Sequence, residues 1–242
     1  MLKVLLFLAL FFGATGFLFT LLSCGTEYWL LAAESCSRPE EREVPFGFLI
    51  PQVIDGVRIF HEGLFWRCSF MAVSNEHSIW DILIPNQPPS KVCHTAFLFP
   101  FPTQPYEHQS AIGIFRTFWS IFLATGLAAV VISVFIVICA GPLTNHRLYK
   151  VGGLSLCLSG LCLLAVMVMY LMWVQVLDTL EQFAHHQRVS TCPSFHLSIQ
   201  HGPSFLLAPV AVFFCLLAGL LFIMIGQSIQ GTQLDKINKV PV

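Results

Sequence analysis

Four stretches of this chain, 4–24, 118–140, 151–175 and 205–226, contain no Asp, Glu, Lys, Arg or His. Each is about 20 residues long. At about 1.5 Å of rise per helical residue, such a run matches a hydrocarbon core about 30 Å thick. Lipid offers no partner to a bare backbone N–H or C=O, so a spanning run must be a helix. The stretches are parted by ordinary polar sequence. The low overall charge content, 10% of residues against about a quarter in soluble domains, is therefore local to them. The expected fold is an all-α membrane four-helix bundle formed as one domain over residues 1–242.

Charge sets the expected orientation. The short loop 141–150 holds Arg147 and Lys150 and no acid; Lys3 precedes the first stretch; the tail 227–242 holds Lys236 and Lys239 against Asp235. The loops 25–117 and 176–204 are net acidic. Basic loops stay inside, which places both termini in the cytosol and the two long loops outside. Tyr28, Trp29, Trp119, Tyr170 and Trp173 then fall at the outer ends of the spans, where amphipathic rings sit among headgroups. The first stretch is longer than the ~7–15 apolar residues of a signal peptide, so it is read as a retained span.

The outer loops carry Cys36, Cys68, Cys93 and Cys192, whereas Cys24, Cys139, Cys157, Cys162 and Cys215 lie in or beside spans. Four cysteines in an oxidising compartment point to two disulfides, and spacing leaves three pairings open. Residues 26–33, 60–72 and 78–84 are rich in aromatic and apolar side chains and read as strands, with Pro88-Pro89 and Pro100, Pro102 and Pro105 breaking the chain after them. They predict a small antiparallel sheet resting on the bundle. The segment 37–43, with Pro39 and dense charge, reads as a solvated hairpin tip or a flexible insert. No Asn-x-Ser/Thr sequence occurs, so N-glycosylation is not expected.

Trp29 after the first span, then Gly63-Leu64-Phe65-Trp66-Arg67-Cys68 and later Cys93, resemble the claudin-superfamily signature: Trp, then Gly-Leu-Trp, then two cysteines. Phe65 stands between Leu64 and Trp66, and the gap from Cys68 to Cys93 is longer than in claudins. A closer likeness is to a muscle subgroup of that superfamily. It is carried by His61 to Cys68, Asn86 to Lys91, Leu148-Tyr149-Lys150, Trp173-Val174-Gln175 and Phe205 to Pro209; the insert 37–58 departs from it. The resemblance implies a left-handed four-helix bundle with an extracellular sheet. Its members form junction strands, serve as auxiliary subunits of channels or receptors, or regulate adhesion. The subgroup implies control of an adhesion receptor such as an integrin in muscle differentiation, at the plasma membrane.

The same resemblance pairs Cys68 with Cys93, and Cys36 with Cys192 would then tie the two outer loops together. It gives Trp29, Gly63, Leu64 and Trp66 a structural part, with Trp66 expected as a packed anchor between sheet and membrane. Glu40, Glu41 and Glu43 of the insert are candidate partner contacts. Cys139, at the cytosolic end of the second span, is either a palmitoylation site or an inert small side chain. Val240-Pro241-Val242 has the form some PDZ domains bind. Ala211, Cys215 and Gly219 recur every fourth residue and favour close helix packing within the bundle. Eight of nine histidines face outward, His185-His186 among them, without the spacing of a known metal site, so no metal or cofactor is expected.

The net charge is -1 and no basic tract is present, which argues against a nucleic-acid partner. No catalytic motif is recognisable, and the spans hold no ionisable residue of the kind that marks a transport pathway. An enzyme, a transporter and a small-molecule substrate are thus disfavoured. The expected partners are the bilayer and another membrane protein, an adhesion receptor or a channel. The long first loop favours such an organiser over a junction component making homotypic contacts.

Overall fold

A computed structural model describes residues 2–36, 57–72, 91–95, 109–143, 145–172, 184–185, 188–189 and 193–238. The chain divides into two compact units. One comprises Met1–Gly25, Pro105–Met172 and Ser204–Val242; the other comprises Thr26–Gln104 and Trp173–Pro203.

The first unit is helical: α1 Leu2–Gly25, α2 Gln109–Leu143, α3 His146–Leu171 and α4 Pro203–Asn238. All four are long and apolar enough to cross a membrane. All four reach past the uncharged stretches that mark them, α1 by only a residue or two. α2 starts ahead of 118 and α4 continues past 226, because a charge or a glutamine ends the lipid-compatible run without ending a helix. α3 starts ahead of 151, where the Asn145 side chain accepts the Arg147 N–H at 3.0 Å and caps the helix. Pro203 opens α4 at a position whose N–H would be unpaired in any case.

Lipid tails are as apolar as leucine, so burying leucine gives helices little reason to associate. Close packing and buried hydrogen bonds must do it. Gly153 of α3 and Gly219 of α4 meet backbone to backbone: a Cβ on Gly153 would lie 2.6 Å from the Gly219 carbonyl oxygen, and one on Gly219 would lie 2.5 Å from Cys157 Sγ. Ala211, Cys215 and Ala218 are fully buried, so the small-residue face of α4 is spent within this unit. Ser133 of α2 donates to the Gly152 carbonyl at 2.8 Å, and Ser155 of α3 donates to the Ala129 carbonyl at 2.7 Å. Ser23 of α1 donates to the Ser204 carbonyl at 2.9 Å. The few polar side chains in the spans therefore act as glue between helices.

The second unit is an antiparallel sheet of β1 Leu30–Cys36, β2 Val57–Glu62, β3 Trp66–Ala72, β4 Val92–Thr95 and β5 Phe195–His201, ordered β4-β3-β2-β1-β5. Three sequence expectations change here. The strand read at 60–72 is a hairpin: the Gly63 N–H donates to the Trp66 carbonyl at 2.8 Å, leaving Leu64 and Phe65 as a two-residue turn. The strand read at 26–33 lies further on, at Leu30–Cys36. The sheet also takes a strand from the second long loop, β5, paired along the length of β1 from Leu30↔His201 to Cys36↔Phe195. The strand expected at 78–84 lies outside the described residues.

Replacing Gly219 by Ala should force the α3–α4 backbones apart, at about 1–3 kcal/mol of overpacking strain. The melting temperature of detergent-solubilised protein should then fall by roughly 2–10 °C. Gly231→Ala, in open space on the same helix, should leave it unchanged or raise it. Equal melting of the two variants would contradict the packing described.

Candidate functional site

The Gly-Leu-Phe-Trp turn and the strands beside it form the most chemically dense part of the described chain. Its local geometry begins with glycine. A Cβ on Gly63 would lie 2.5 Å from the Thr26 carbonyl oxygen, and one on Gly202 would collide with that of Tyr28. Both contacts are with backbone, which cannot swing aside. These two close approaches let the Trp29 N–H reach the Glu62 carbonyl at 2.9 Å, and the Gly202 N–H reach the Trp29 carbonyl at 2.9 Å. Trp29 is thereby locked between β2 and the end of β5 and is 1% exposed; Leu64 in the turn is 2% exposed.

Trp66, expected as an anchor between sheet and membrane, is 47% exposed, so the protein itself leaves much of the ring uncovered. It stands at the turn end of β3 opposite Thr95, beyond Cys68 and Phe70, which are the buried residues of its face. Val92, on the neighbouring edge strand, is also exposed.

Cys68 and Cys93 face each other across β3 and β4 and form a disulfide. The bond closes a separation of 25 residues, worth about 3 kcal/mol in the loop-entropy account. The Glu27 carboxylate lies against the Cys68 sulfur and pairs with the Lys91 ammonium, which immediately precedes β4. Glu27, Cys68 and Cys93 thus gather a carboxylate oxygen and two sulfurs within 4.8 Å. The sulfurs are spent in the disulfide and offer no thiolate, so the trio is a brace with an ion pair beside it and has no metal-binding chemistry. Cys36 at the end of β1 is also disulfide-bonded. Cys192, like Glu40, Glu41, Glu43 and Val240 to Val242, lies outside the described residues. Cys139 is an exposed free thiol on α2.

Sequence reasoning missed two buried ionisable neighbours, His61 and Glu62, each 3% exposed. Consecutive strand residues face opposite sides of the sheet. His61 lies opposite Cys68, with Tyr28 at 4.8 Å and Phe70 at 5.4 Å between ring centroids. Glu62 lies opposite Arg67, whose Nε is 3.7 Å from its carboxylate while the guanidinium sits 4.9 Å over the Phe60 ring. No hydrogen bond reaches either His61 nitrogen or either Glu62 oxygen among the described residues. Burial therefore decides their charge. It pushes Glu62 up to about 8, with Arg67 pulling back, and pushes His61 down to about 4. Glu34 on β1 is also raised by burial, against the pull of Arg58 and Arg67. The signal was present in the sequence as a His-Glu pair inside an apolar strand, but which side of each strand is covered is a tertiary fact.

Along residues 14–224 the chain matches the family described as PMP-22/EMP/MP20/Claudin tight junction. It is 44% identical over 238 residues to transmembrane protein 182 of Danio rerio, covering 93% of this chain and 96% of the relative. To transmembrane protein 182 of Homo sapiens it is 39% identical over 235 residues, covering 95% and 98%. To that of Mus musculus it is 40% identical over 237 residues, again covering 95% and 98%. The signature residues from Trp29 to Cys93 all fall inside the matched region.

The two buried groups make stability depend on pH. Unfolded, Glu62 ionises near 4.5; folded, near 8. The folded state binds the extra proton between these values, so stability falls as pH rises across them. His61 acts in the opposite sense: its contribution is complete above 6.5 and is lost as pH falls toward 4. Of these two groups, only Glu62 still contributes a slope above pH 6.5, at most about 1.4 kcal/mol per pH unit. Thermal melts followed by tryptophan fluorescence should therefore show lower stability at pH 8 than at pH 6.5. Glu62→Gln should remove most of that difference; an unchanged slope in the variant would show that another group carries it.

Proposed function

The chain belongs to the PMP-22/EMP/MP20/claudin family, and on that premise we propose that it is a non-enzymatic cell-surface organiser that binds another membrane protein through its sheet. The observation that carries the proposal is Trp66: a large aromatic, 47% exposed, on a strand that a disulfide ties to the edge strand β4. Binding energy at protein interfaces concentrates in rigidly presented aromatic side chains, with charges at the rim tuning rate and specificity. Trp66 is the anchor on this reading, and Glu40, Glu41 and Glu43 are rim contacts. The spans hold no ionisable group, so recognition falls to the loops. The partner class is an adhesion receptor such as an integrin, with muscle differentiation as the setting implied by the subgroup likeness. The protein sits in the plasma membrane with both termini cytosolic and the two long loops outside. Cys139 then faces the cytosol, where palmitoylation is possible chemistry.

Epitope tags at either terminus should stain permeabilised cells only; surface staining of an intact cell carrying a C-terminal tag would overturn the topology.

Trp66→Ala should reach the cell surface normally and lose partner capture by about 2 kcal/mol or more, as a hot-spot truncation does. Trp29→Ala should instead lower surface expression, because it empties a buried site at about 3–5 kcal/mol. Affinity capture of the partner from muscle cells, normalised to surface protein, separates the two. Capture that survives Trp66→Ala, or that follows transplanted spans when both loops are grafted onto an unrelated four-span protein, would place recognition elsewhere. Mutual capture of two differently tagged copies, with no second protein, would make the chain a homotypic junction component instead.

A further inference from the structure

The helical unit is not filled everywhere. A recess of about 170 Å³ opens between α1 and α2. Leu156 and Phe222, 3% and 1% exposed, form its floor. Leu10 and Ile138, 45% and 66% exposed, stand at its rim. Gly13 and Ala14 line its α1 side, where larger residues would close it. The single polar lining side chain, Ser133, is fully buried and donates its hydroxyl proton to the Gly152 carbonyl.

We propose that this recess binds an acyl chain of a bilayer phospholipid. Three observations select that occupant. The first is depth: Leu10 to Phe17 lie about 12–22 Å along α1 from its start, midway through a span, where hydrocarbon is the surrounding medium. The second is chemistry: the lining offers no free donor to a headgroup or to a sterol hydroxyl, and an apolar cavity of about 150 Å³ stays dry yet accepts a small apolar molecule. The third is size. A helix about 10 Å across cannot enter such a recess, and a stable protein interface needs about 800 Å² from each partner, whereas a flexible chain fits. The rim is continuous with the lipid-facing surface of the spans, so entry requires no opening of the bundle. An unfilled recess would forfeit the dispersion contacts of its floor, and a chain lodged there would restore them. This site is independent of the partner-binding surface on the sheet.

The test uses full-length protein in phosphatidylcholine nanodiscs containing a trace of phosphatidylcholine with a diazirine midway along one acyl chain. After photolysis, adducts are mapped by mass spectrometry. Adducts at residues 10–17 and 133–138 should exceed those at Leu154 and Leu220, which are exposed span residues outside the recess, by several-fold. Ala14→Phe, which fills the recess from its open side, should abolish the excess while leaving the adducts at Leu154 and Leu220 unchanged. Ala14→Leu serves the same purpose if the larger ring impairs folding. Even labelling of all lipid-facing residues would overturn the proposal. So would labelling indifferent to filling, displacement by cholesterol at levels where added phospholipid has no effect, or crosslinks joining two copies of the chain at these residues.

Discussion

Backbone meets backbone at the places this protein can least change. In lipid there is no water to drive helices together, so α3 and α4 are held by how closely they approach, and Gly153 against Gly219 sets that distance. The sheet relies on the same device for another reason. Gly63 and Gly202 let the hairpin and the end of β5 close onto Thr26 to Trp29, and the ladder bonds that fix strand register follow from that closure. A methyl group at any of these positions would occupy the space of a carbonyl oxygen or a thiol.

With those approaches in place, the remaining side chains divide their work. Trp29 is sealed and structural, while Trp66 is held out on a braced strand. The Cys68–Cys93 bond and the Glu27–Lys91 pair stiffen the edge that presents it. His61 and Glu62 are kept neutral near pH 7 by burial, so these two covered positions add little net charge to the sheet. Preorganisation of this kind reduces the ordering cost of binding, which suits the proposed recognition surface.

The helices were legible because lipid compatibility is a property of composition and length. An apolar, uncharged run of about 20 residues is long enough to cross the hydrocarbon core, and a helix satisfies its backbone there. Their ends were less legible: Asn145, which caps α3, and the polar turns of α4 up to Asn238 follow helix rules, whereas charge marks only the lipid boundary. Sheet pairing was harder still. β5 carries a clean alternation, Phe195, Leu197 and Ile199 between His196, Ser198 and Gln200, but joining it to β1 spans some 160 residues of chain, and periodicity says nothing about partners. The hairpin at 60–72 hid because its turn residues, Leu64 and Phe65, are as apolar as the strands they join.

The sequence by itself determined that this chain is a four-span membrane protein of the claudin kind, because hydropathy, charge asymmetry and the Trp29, Gly63-Leu64 and Cys68 spacing are local properties readable along one dimension. Only the tertiary structure decided which tryptophan is buried and which displayed, that Glu62 and His61 are covered, and that a recess remains between α1 and α2. Each of these depends on which distant segment lies against a given face, and exposure is a relation between segments that no single segment encodes.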